Sequence, residues 1–587
     1  MTEASNVATT ASLEPLFSRL HLQGSAADAR QVIGDVTVRS AVIEEFRPIA
    51  DSLEWKLGEL YWNREGVAPF VRNEVPYVVN NDGLASENAA VLLFATCRDA
   101  SHLPSRIAVL ELGGGLGLFA RLFLESFARL CRQEGADYYD RLVYVASDGS
   151  RRTVERWREA GLFTGHEAHV VLGVCDGTRP SRIEPLAGAT PIPETWQAVI
   201  CNYFLDVLPA AVVRRSATGY EQLCVRTWLI DDPTLVTQYT AAAPPEIQAL
   251  ATSDDPDKRR GLIPLMTVLD LESAFMPVAA PGVPYAEESL ALMPDRQCFV
   301  LNHVAVATLE ALRDLLAPDG FILVNDYGPV QPEQVAAQSI PQRFGPTTAI
   351  GLNFPLLAAL LSQRGFHIAA PSGDEERAIH ARLLSRRELP GAHKAFEDRF
   401  GSEAWSYLEA PIKEARASAA AGRRQEALEK YQTALSRQPR NWQIIGEAAE
   451  FVGLQLREFE AGIELARTAL EFNPCYSSWL WNVLGDCLYC LQRVGDAHEA
   501  YLHAERIDAT DPRTLLNLAY TYHHLGRLET ALDAVARGLS HDAPGQYRER
   551  LLERQQQILV ALSARLHGEQ DRLLRRAARL QQGIAGC

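Results

Sequence analysis

The sequence predicts an α/β domain built on a mostly parallel sheet, followed by a separate all-helical repeat domain. Two observations carry this expectation. Between about 76 and 385, short β-branched runs alternate with amphipathic stretches, the pattern of a sheet covered by helices on both faces. From about 408 onward strands vanish, and helices of about a dozen residues follow one another between Gly-Arg or Pro punctuation.

The composition bounds what such a chain can be. With 587 residues and 47% hydrophobic content, it has material for several ordinary globular units and is neither low-complexity nor collagen-like. No stretch approaches the length of a membrane span, and the start (MTEASNVATTASLEPL) has no basic segment leading into an apolar run. A cytoplasmic protein without a membrane partner is expected. The ten cysteines are scattered, which fits a reducing compartment, and the single CxxC at Cys487 and Cys490 lies in a helical segment without a second pair, so no metal site is expected. A formal charge of −17 argues against nucleic acid as a partner.

Residues 1–75 are read as an N-terminal helical extension, polar in its first 35 or so positions. The strands of the α/β domain, placed at 76–385, are RIAVLEL, LVYVASD, AHVVLGV, WQAVICN, GFILVND and IHARLL. A Pro-rich excursion between 215 and 297 interrupts them and is too long for an ordinary loop, which points to an inserted lid or binding loop. Residues 386–407 lack a clear period and are assigned as a linker.

The helical part repeats itself. Ala427, Tyr431, Ala434 and Pro439 align with Gly462, Ala466, Ala469 and Pro474 at a shift of 35; Ala497, Tyr501 and Ala504, then Ala531, Val535 and Gly538, follow at shifts of 35 and 34. Small residues there let the two helices of a hairpin approach, and the aromatics fill the seam to the next hairpin. The pattern resembles four tetratricopeptide repeats spanning 408–545, the second marked by Glu450 where a small residue is usual. Residues 546–587 read as a C-terminal capping helix whose arginines form a solvated basic face.

The chemical signal is IAVLELGGGLGLFARLFLESF. A β-run ends at Glu111, a turn carries Gly113, Gly115 and Gly117, and a helix follows with unpaired N–H groups at its start. The turn alone also satisfies a dinucleotide fingerprint, so a nicotinamide cofactor stays open. Glu111 tilts the balance: a carboxylate there repels a pyrophosphate and attracts the cationic amino-acid part of S-adenosylmethionine. Asp148, ending the second strand, can accept from both ribose hydroxyls, and Asp176, after the third, can accept from the adenine amine.

The fourth strand, WQAVICNYFLDVLP, resembles the N-E-F-F-D-x-L-P segment of the MidA-like methyltransferases, the family of the mitochondrial complex I assembly arginine methyltransferase. Asn202, Phe204, Asp206, Leu208 and Pro209 carry the match. Asn325-Asp326-Tyr327-Gly328 and Gly351-Leu352-Asn353-Phe354 look like two later segments of that family, in the same order. The resemblance covers roughly 76–385 and implies a Rossmann-like class I methyltransferase domain with S-adenosylmethionine as cofactor. It implies an arginine acceptor only in part, because Tyr203 stands where the family has a carboxylate. Asp206 is expected to bind or deprotonate a cationic acceptor, Asn202 to orient it, and Tyr203 to pack against it; each also has a purely structural reading, Asp206 as a helix cap, Asn202 as a strand-end hydrogen bonder, Tyr203 as core. His303 is read as a helix-flank or lid-packing residue, with a general-base role as the alternative.

Together the halves imply a methyltransferase acting on a protein or peptide held in the repeat groove. Two other readings stay open: a small-molecule methyltransferase whose repeats serve assembly, for instance as a homodimer, and a non-catalytic adaptor retaining a cofactor-binding scaffold.

Overall fold

The computed structural model describes residues 30–33, 39–71, 82–186, 191–217, 219–279, 281–293, 298–335, 341–344, 347–542 and 545–584. These form two compact units, 1–407 and 408–587.

In chain order the strands are β1 (Arg30–Ile33), β2 (Arg39–Pro48), β3 (Ile107–Leu112), β4 (Leu142–Asp148), β5 (Val170–Cys175), β6 (Ile183–Pro185), β7 (Trp196–Asn202), β8 (Ala211–Ser216), β9 (Gly219–Ile230), β10 (Leu269–Pro277), β11 (Cys298–Leu301), β12 (Leu316–Asp326), β13 (Gln342–Phe344), β14 (Thr347–Ala349), β15 (His367–Ala369) and β16 (His380–Ser385). The main sheet has the order β15-β16-β12-β7-β3-β4-β5-β6. Its five central strands, β12, β7, β3, β4 and β5, run parallel, while β16, β15 and β6 add antiparallel edges. All six anticipated runs are strands of this Rossmann-like sheet. The central ones are apolar throughout because both faces are covered: every residue of β3 and of β7 is buried.

The helix Leu118–Glu134 shows how sequence sets this packing. Phe119, Phe123 and Phe127 recur every four residues on one face and are almost wholly buried, with Phe123 against the ring of Tyr144 on β4. Left-handed Gly117 starts the helix and left-handed Gly135 ends it.

Among the parallel strands, chain order and space differ at one place. From β3 the chain moves outward through β4 and β5, then returns to the other side of β3 as β7 and continues to β12. The C-terminal ends of β3 and β7 therefore flank a crevice, the place where doubly wound sheets bind ligands.

Three expectations are corrected. The stretch 215–297 is not an extended loop but a folded insertion: β8, β9, β10 and β11 form an antiparallel sheet of order β1-β10-β9-β8-β11, with β2 also on β9. It folds because Leu223 and Val225 on β9 and Leu271 and Phe275 on β10 alternate inward over Trp55, Val212 and Val300. Residues 1–75 are not a helical extension, since β1 and β2 belong to this second sheet and the helix Leu53–Glu65 follows them; residues 1–29 lie outside the described residues. Residues 386–407 are not a linker. The helix Pro390–Phe400 packs on Leu84–Asp99 through Ala392, Phe396 and Phe400, spaced four apart, and Arg399 O accepts from Asn88 Nδ2 at 3.2 Å.

In the second unit, residues 408–420 of the helix Ser402–Ala420 and Arg424–Arg437, Trp442–Glu450 and Phe459–Phe472, Ser478–Cys490 and Val494–Ile507, and Pro512–His524 and Leu528–His541 form four stacked hairpins of a tetratricopeptide solenoid. The small residues act as expected: a Cβ on Gly485 would meet the Tyr501 ring at 2.3 Å. Glu450, the outlier, accepts from Trp479 Nε1 at 3.0 Å and pairs with Arg513 at 3.2 Å, and a π-helical turn, Phe451–Gln455, follows it.

Candidate active site

The crevice between β3 and β7 gathers most of the residues anticipated from sequence. Gly113, Gly115 and Gly117 all have φ between 53° and 72°, the left-handed region that side chains disfavour. The turn is pinned by Gly114 N donating to Ser147 O at 2.9 Å and by Trp157 Nε1 donating to Gly115 O at 2.9 Å. A Cβ on Gly117 would lie 2.7 Å from Leu162, and one on Gly113 would lie 3.0 Å from the Phe204 ring. The turn thus needs glycine for both conformation and space.

Asp148 closes this turn from the neighbouring strand. Its Oδ2 accepts from Gly115 N at 3.1 Å and its Oδ1 from Ser150 N at 2.8 Å. A carboxylate has about four acceptor sites, so two remain for ligand hydroxyls. Burial pushes the Asp148 carboxyl up to about 6, against the pull of those two N–H donors. Glu111 sits beneath the turn, its Oε2 accepting from Tyr144 OH at 3.0 Å. Burial raises it to about 8, opposed by the Tyr144 hydroxyl and reinforced by the nearby Asp148 charge. Glu111 is therefore largely protonated at neutral pH, and a cation placed beside it would ionise it. Asp176 stands apart at the end of β5, exposed, with Oδ1 accepting from Thr178 N at 3.0 Å and Thr178 Oγ1 at 2.8 Å.

On the β7 side, Asn202 is paired across the sheet with Asn325 of β12, whose Nδ2 donates to Asn202 Oδ1 at 2.7 Å. The Asn202 Nδ2 is buried with no hydrogen-bond partner, a donor awaiting an acceptor. Tyr203 adopts φ 46°, rare for an aromatic residue, and its N–H donates to Asn325 O at 2.9 Å. Such strain at a strand end points to function. Asp206 does not cap a helix: the chain passes through a turn into β8, and Asp206 O accepts from Ile350 N at 2.9 Å.

Asp326, at the end of β12, holds the 203–206 turn: its Oδ2 accepts from Leu205 N at 3.1 Å and Asp206 N at 3.3 Å, and its Oδ1 from Tyr327 N at 2.9 Å. Asp206 and Asp326 are both buried, and burial holds both carboxyls above the ordinary range, Asp326 further raised by the Asp206 charge. The Tyr327 phenol sits against Asp206. Burial thus favours the neutral, protonated form of both carboxyls, and ionisation of one disfavours ionisation of the other. His303 begins the helix His303–Leu315, as expected, and burial lowers its pKa.

Sequence reading missed the pairing of Asn325 with Asn202, the anchoring role of Asp326, and Phe204 as the ring wedged between Gly113 and Gly177, where a Gly177 Cβ would approach it to 2.3 Å. The available signal was the run of polar residues at Asn325-Asp326-Tyr327, ending an otherwise apolar parallel strand.

Among the described residues no group of His, Cys, Asp or Glu is placed to hold a metal ion, and no helix is long and apolar enough to cross a membrane.

No family model matches the chain, and no curated protein matches it. Solved structures do. A candidate methyl transferase of Burkholderia thailandensis, bound to S-adenosyl-homocysteine, is 15% identical, covering 60% of this chain and 97% of its own, with a TM-score of 0.36. MamA is 14% identical over 28% of this chain and 93% of its own, with a TM-score of 0.23. The Yersinia enterocolitica type III secretion chaperone SycD, in complex with a peptide of the translocator YopD, is 18% identical over 20% of this chain and 91% of its own, with a TM-score of 0.19.

Proposed function

We propose that the chain is an S-adenosylmethionine-dependent methyltransferase and that its repeats recruit a protein or peptide acceptor. The observation that carries this reading is the crevice at the β3–β7 switch point, where a left-handed glycine turn, Asp148 with spare acceptor capacity and buried Glu111 converge. These residues fit the cofactor: Asp148 would accept from its ribose hydroxyls, Glu111 would offset its cationic amino-acid part, and Asp176 would serve the adenine amine after giving up part of its bond to Thr178. When bound, the cofactor supplies a methyl group on a sulfonium for in-line displacement. Asp148 would serve the ribose of a dinucleotide equally well; the preference for the methyl donor rests on Glu111, which a cationic ligand part would ionise and a pyrophosphate would not.

The chain's own contribution is positioning and proton handling. Asn202 Nδ2 orients the acceptor, Tyr203 presents its ring to it from a strained backbone, and Asp206 takes the proton an attacking nitrogen must lose, with Asp326 and Tyr327 setting its affinity. Tyr203 in place of a carboxylate favours a nitrogen acceptor that reaches the site neutral or is deprotonated by Asp206, over a permanently charged guanidinium clamped by two acids. Nine described cysteines are free, in keeping with a reducing, cytoplasmic setting.

The test is incubation of the full chain with methyl-labelled S-adenosylmethionine and a lysate separated afterwards into protein and small-molecule fractions. Label in protein, lost in Asp206→Asn, is expected. Label confined to small molecules would contradict the protein acceptor, and no label in either fraction would contradict methyl transfer.

A further inference from the structure

The C-terminal helix Arg548–Ile584 is 37 residues long, about 55 Å at 1.5 Å per residue. Its first half is held by the last hairpin. Leu551 and Ile558 are buried among Leu516, Ala519, Ala531 and Val535, and Arg554 lies over the Tyr520 ring, 3.4 Å from its centroid. Arg565, paired with Glu529, is the last residue with a described tie to that hairpin. From Glu569 to Arg579 every residue is exposed.

That projecting segment is not built for water. An apolar stripe starts on the held half and runs onto this segment: Leu552, Leu559, Leu566 and Leu573 stand seven residues apart, all four exposed, Leu573 at 66%, and Leu566 and Leu573 lie beyond Ser563. Val560 and Leu574 widen the stripe, at 65% and 61% exposed. A spacing of seven keeps a stripe facing one partner helix through a left-handed supercoil, whereas docking on a globular surface follows 3.6. An unsupported helix of this length is marginal alone in water, so the stripe stabilises the segment only when covered.

We infer that this stripe joins two copies of the chain through an antiparallel coiled coil of the segments beyond Ser563. The occupant follows from the pattern of charge and size along the helix. Antiparallel pairing about the midpoint of Gln570 and Leu573 sets Leu573 opposite Gln570 and Leu566 opposite Ala577 of the second copy, so each leucine meets a smaller or flexible residue. The same register places Glu569 beside Arg576 of the second copy, twice by symmetry. Parallel pairing in register would instead set Glu569 beside Leu574 of the second copy and lose both Glu569–Arg576 pairs. The antiparallel pair is self-complementary, as a two-fold interface requires. This inference does not rest on the methyl-transfer reading.

Sedimentation velocity of the full chain at about 50 µM tests it, with the variants L566E/L573E, E569R, R576E and the double variant E569R/R576E. Thermal melting of the repeat unit checks that each variant folds; all substituted positions are exposed, so melting is expected to stay within a few degrees. The expected result is twice the chain mass for the wild type, a monomer for L566E/L573E, at least tenfold weaker association for each single charge variant, and recovery in the double variant. A monomeric wild type overturns the inference and leaves the stripe to a foreign helix. A dimer that survives L566E/L573E overturns it as well, and failure of the double variant to recover overturns the antiparallel register.

Discussion

Two sites in this chain, one in each unit, treat buried acids in opposite ways. In the repeats, Asp486 is pushed up by burial, yet Arg513 pairs with it at 2.8 Å, Tyr501 OH donates to it at 2.8 Å and Asn517 Nδ2 at 2.9 Å. At the β3–β7 crevice, Glu111 is held by a phenol, and Asp148 and Asp326 by backbone N–H groups. The first arrangement gives a satisfied network whose loss costs stability. The second leaves carboxyls raised by burial, a donor on Asn202 without acceptor and a strained Tyr203.

Breaking the repeat network should give the largest effect. Arg513→Ala leaves Asp486 and Glu450 partly buried without their cation, and a loss of about 3 kcal/mol is expected, read as a lower denaturant midpoint for the repeat unit. An unchanged midpoint would place that network among surface pairs of little consequence.

At the crevice the effects should fall on binding instead. Asp148→Ala is expected to weaken S-adenosylhomocysteine at least tenfold, about 1.4 kcal/mol, with a smaller change in melting temperature. A large drop in melting with unaltered affinity would make Asp148 a fold residue like Asp486.

The contrast sharpens with pH. Glu111 has a folded pKa of about 8 against 4.5 in an unfolded chain, so the folded state binds the extra proton between those values. Stability is thus expected to fall as pH rises from about 4.5 to about 8, and Glu111→Gln should flatten part of that slope in melts from pH 5 to 8.5. Binding of S-adenosylmethionine should tighten over the upper part of the same window, because only the ionised Glu111 attracts its cationic part. Parallel pH slopes for wild type and Glu111→Gln would contradict both statements.

Tyr203→Gly should show the smallest change in stability. Relief of left-handed strain offsets the lost ring contacts, leaving the net within about 1 kcal/mol by chemical denaturation, whereas methyl transfer is expected to drop. A loss near that of a fully buried aromatic would mean the ring is simply core.

Much of this was legible in the sequence, for a physical reason. A strand buried on both faces must be apolar along its length, so β3 and β7 announce themselves, and a turn that needs positive φ at Gly113, Gly115 and Gly117 can only be written in glycine. The repeat period is visible because one packing solution recurs, as the Gly485–Tyr501 contact shows. What stayed hidden depends on non-local pairing. Nothing near β2 says that it will join β9, some 190 residues away at Ser40–Leu229, and the helix Pro390–Phe400 is apolar only at Ala392, Phe396, Phe400 and one or two flanking positions. Asp326 reads as a strand-end acid until the turn at 203–206 is seen to hang from its oxygens.

The most direct test of the central claim is titration calorimetry of the full chain with S-adenosylmethionine, S-adenosylhomocysteine and a nicotinamide dinucleotide, repeated with Asp148→Ala. Micromolar binding of the two adenosyl compounds, weakened by Asp148→Ala, with no heat from the dinucleotide, is the predicted result. Binding of the dinucleotide alone, or of none of the three, would contradict the assignment of the β3–β7 crevice to a methyl donor.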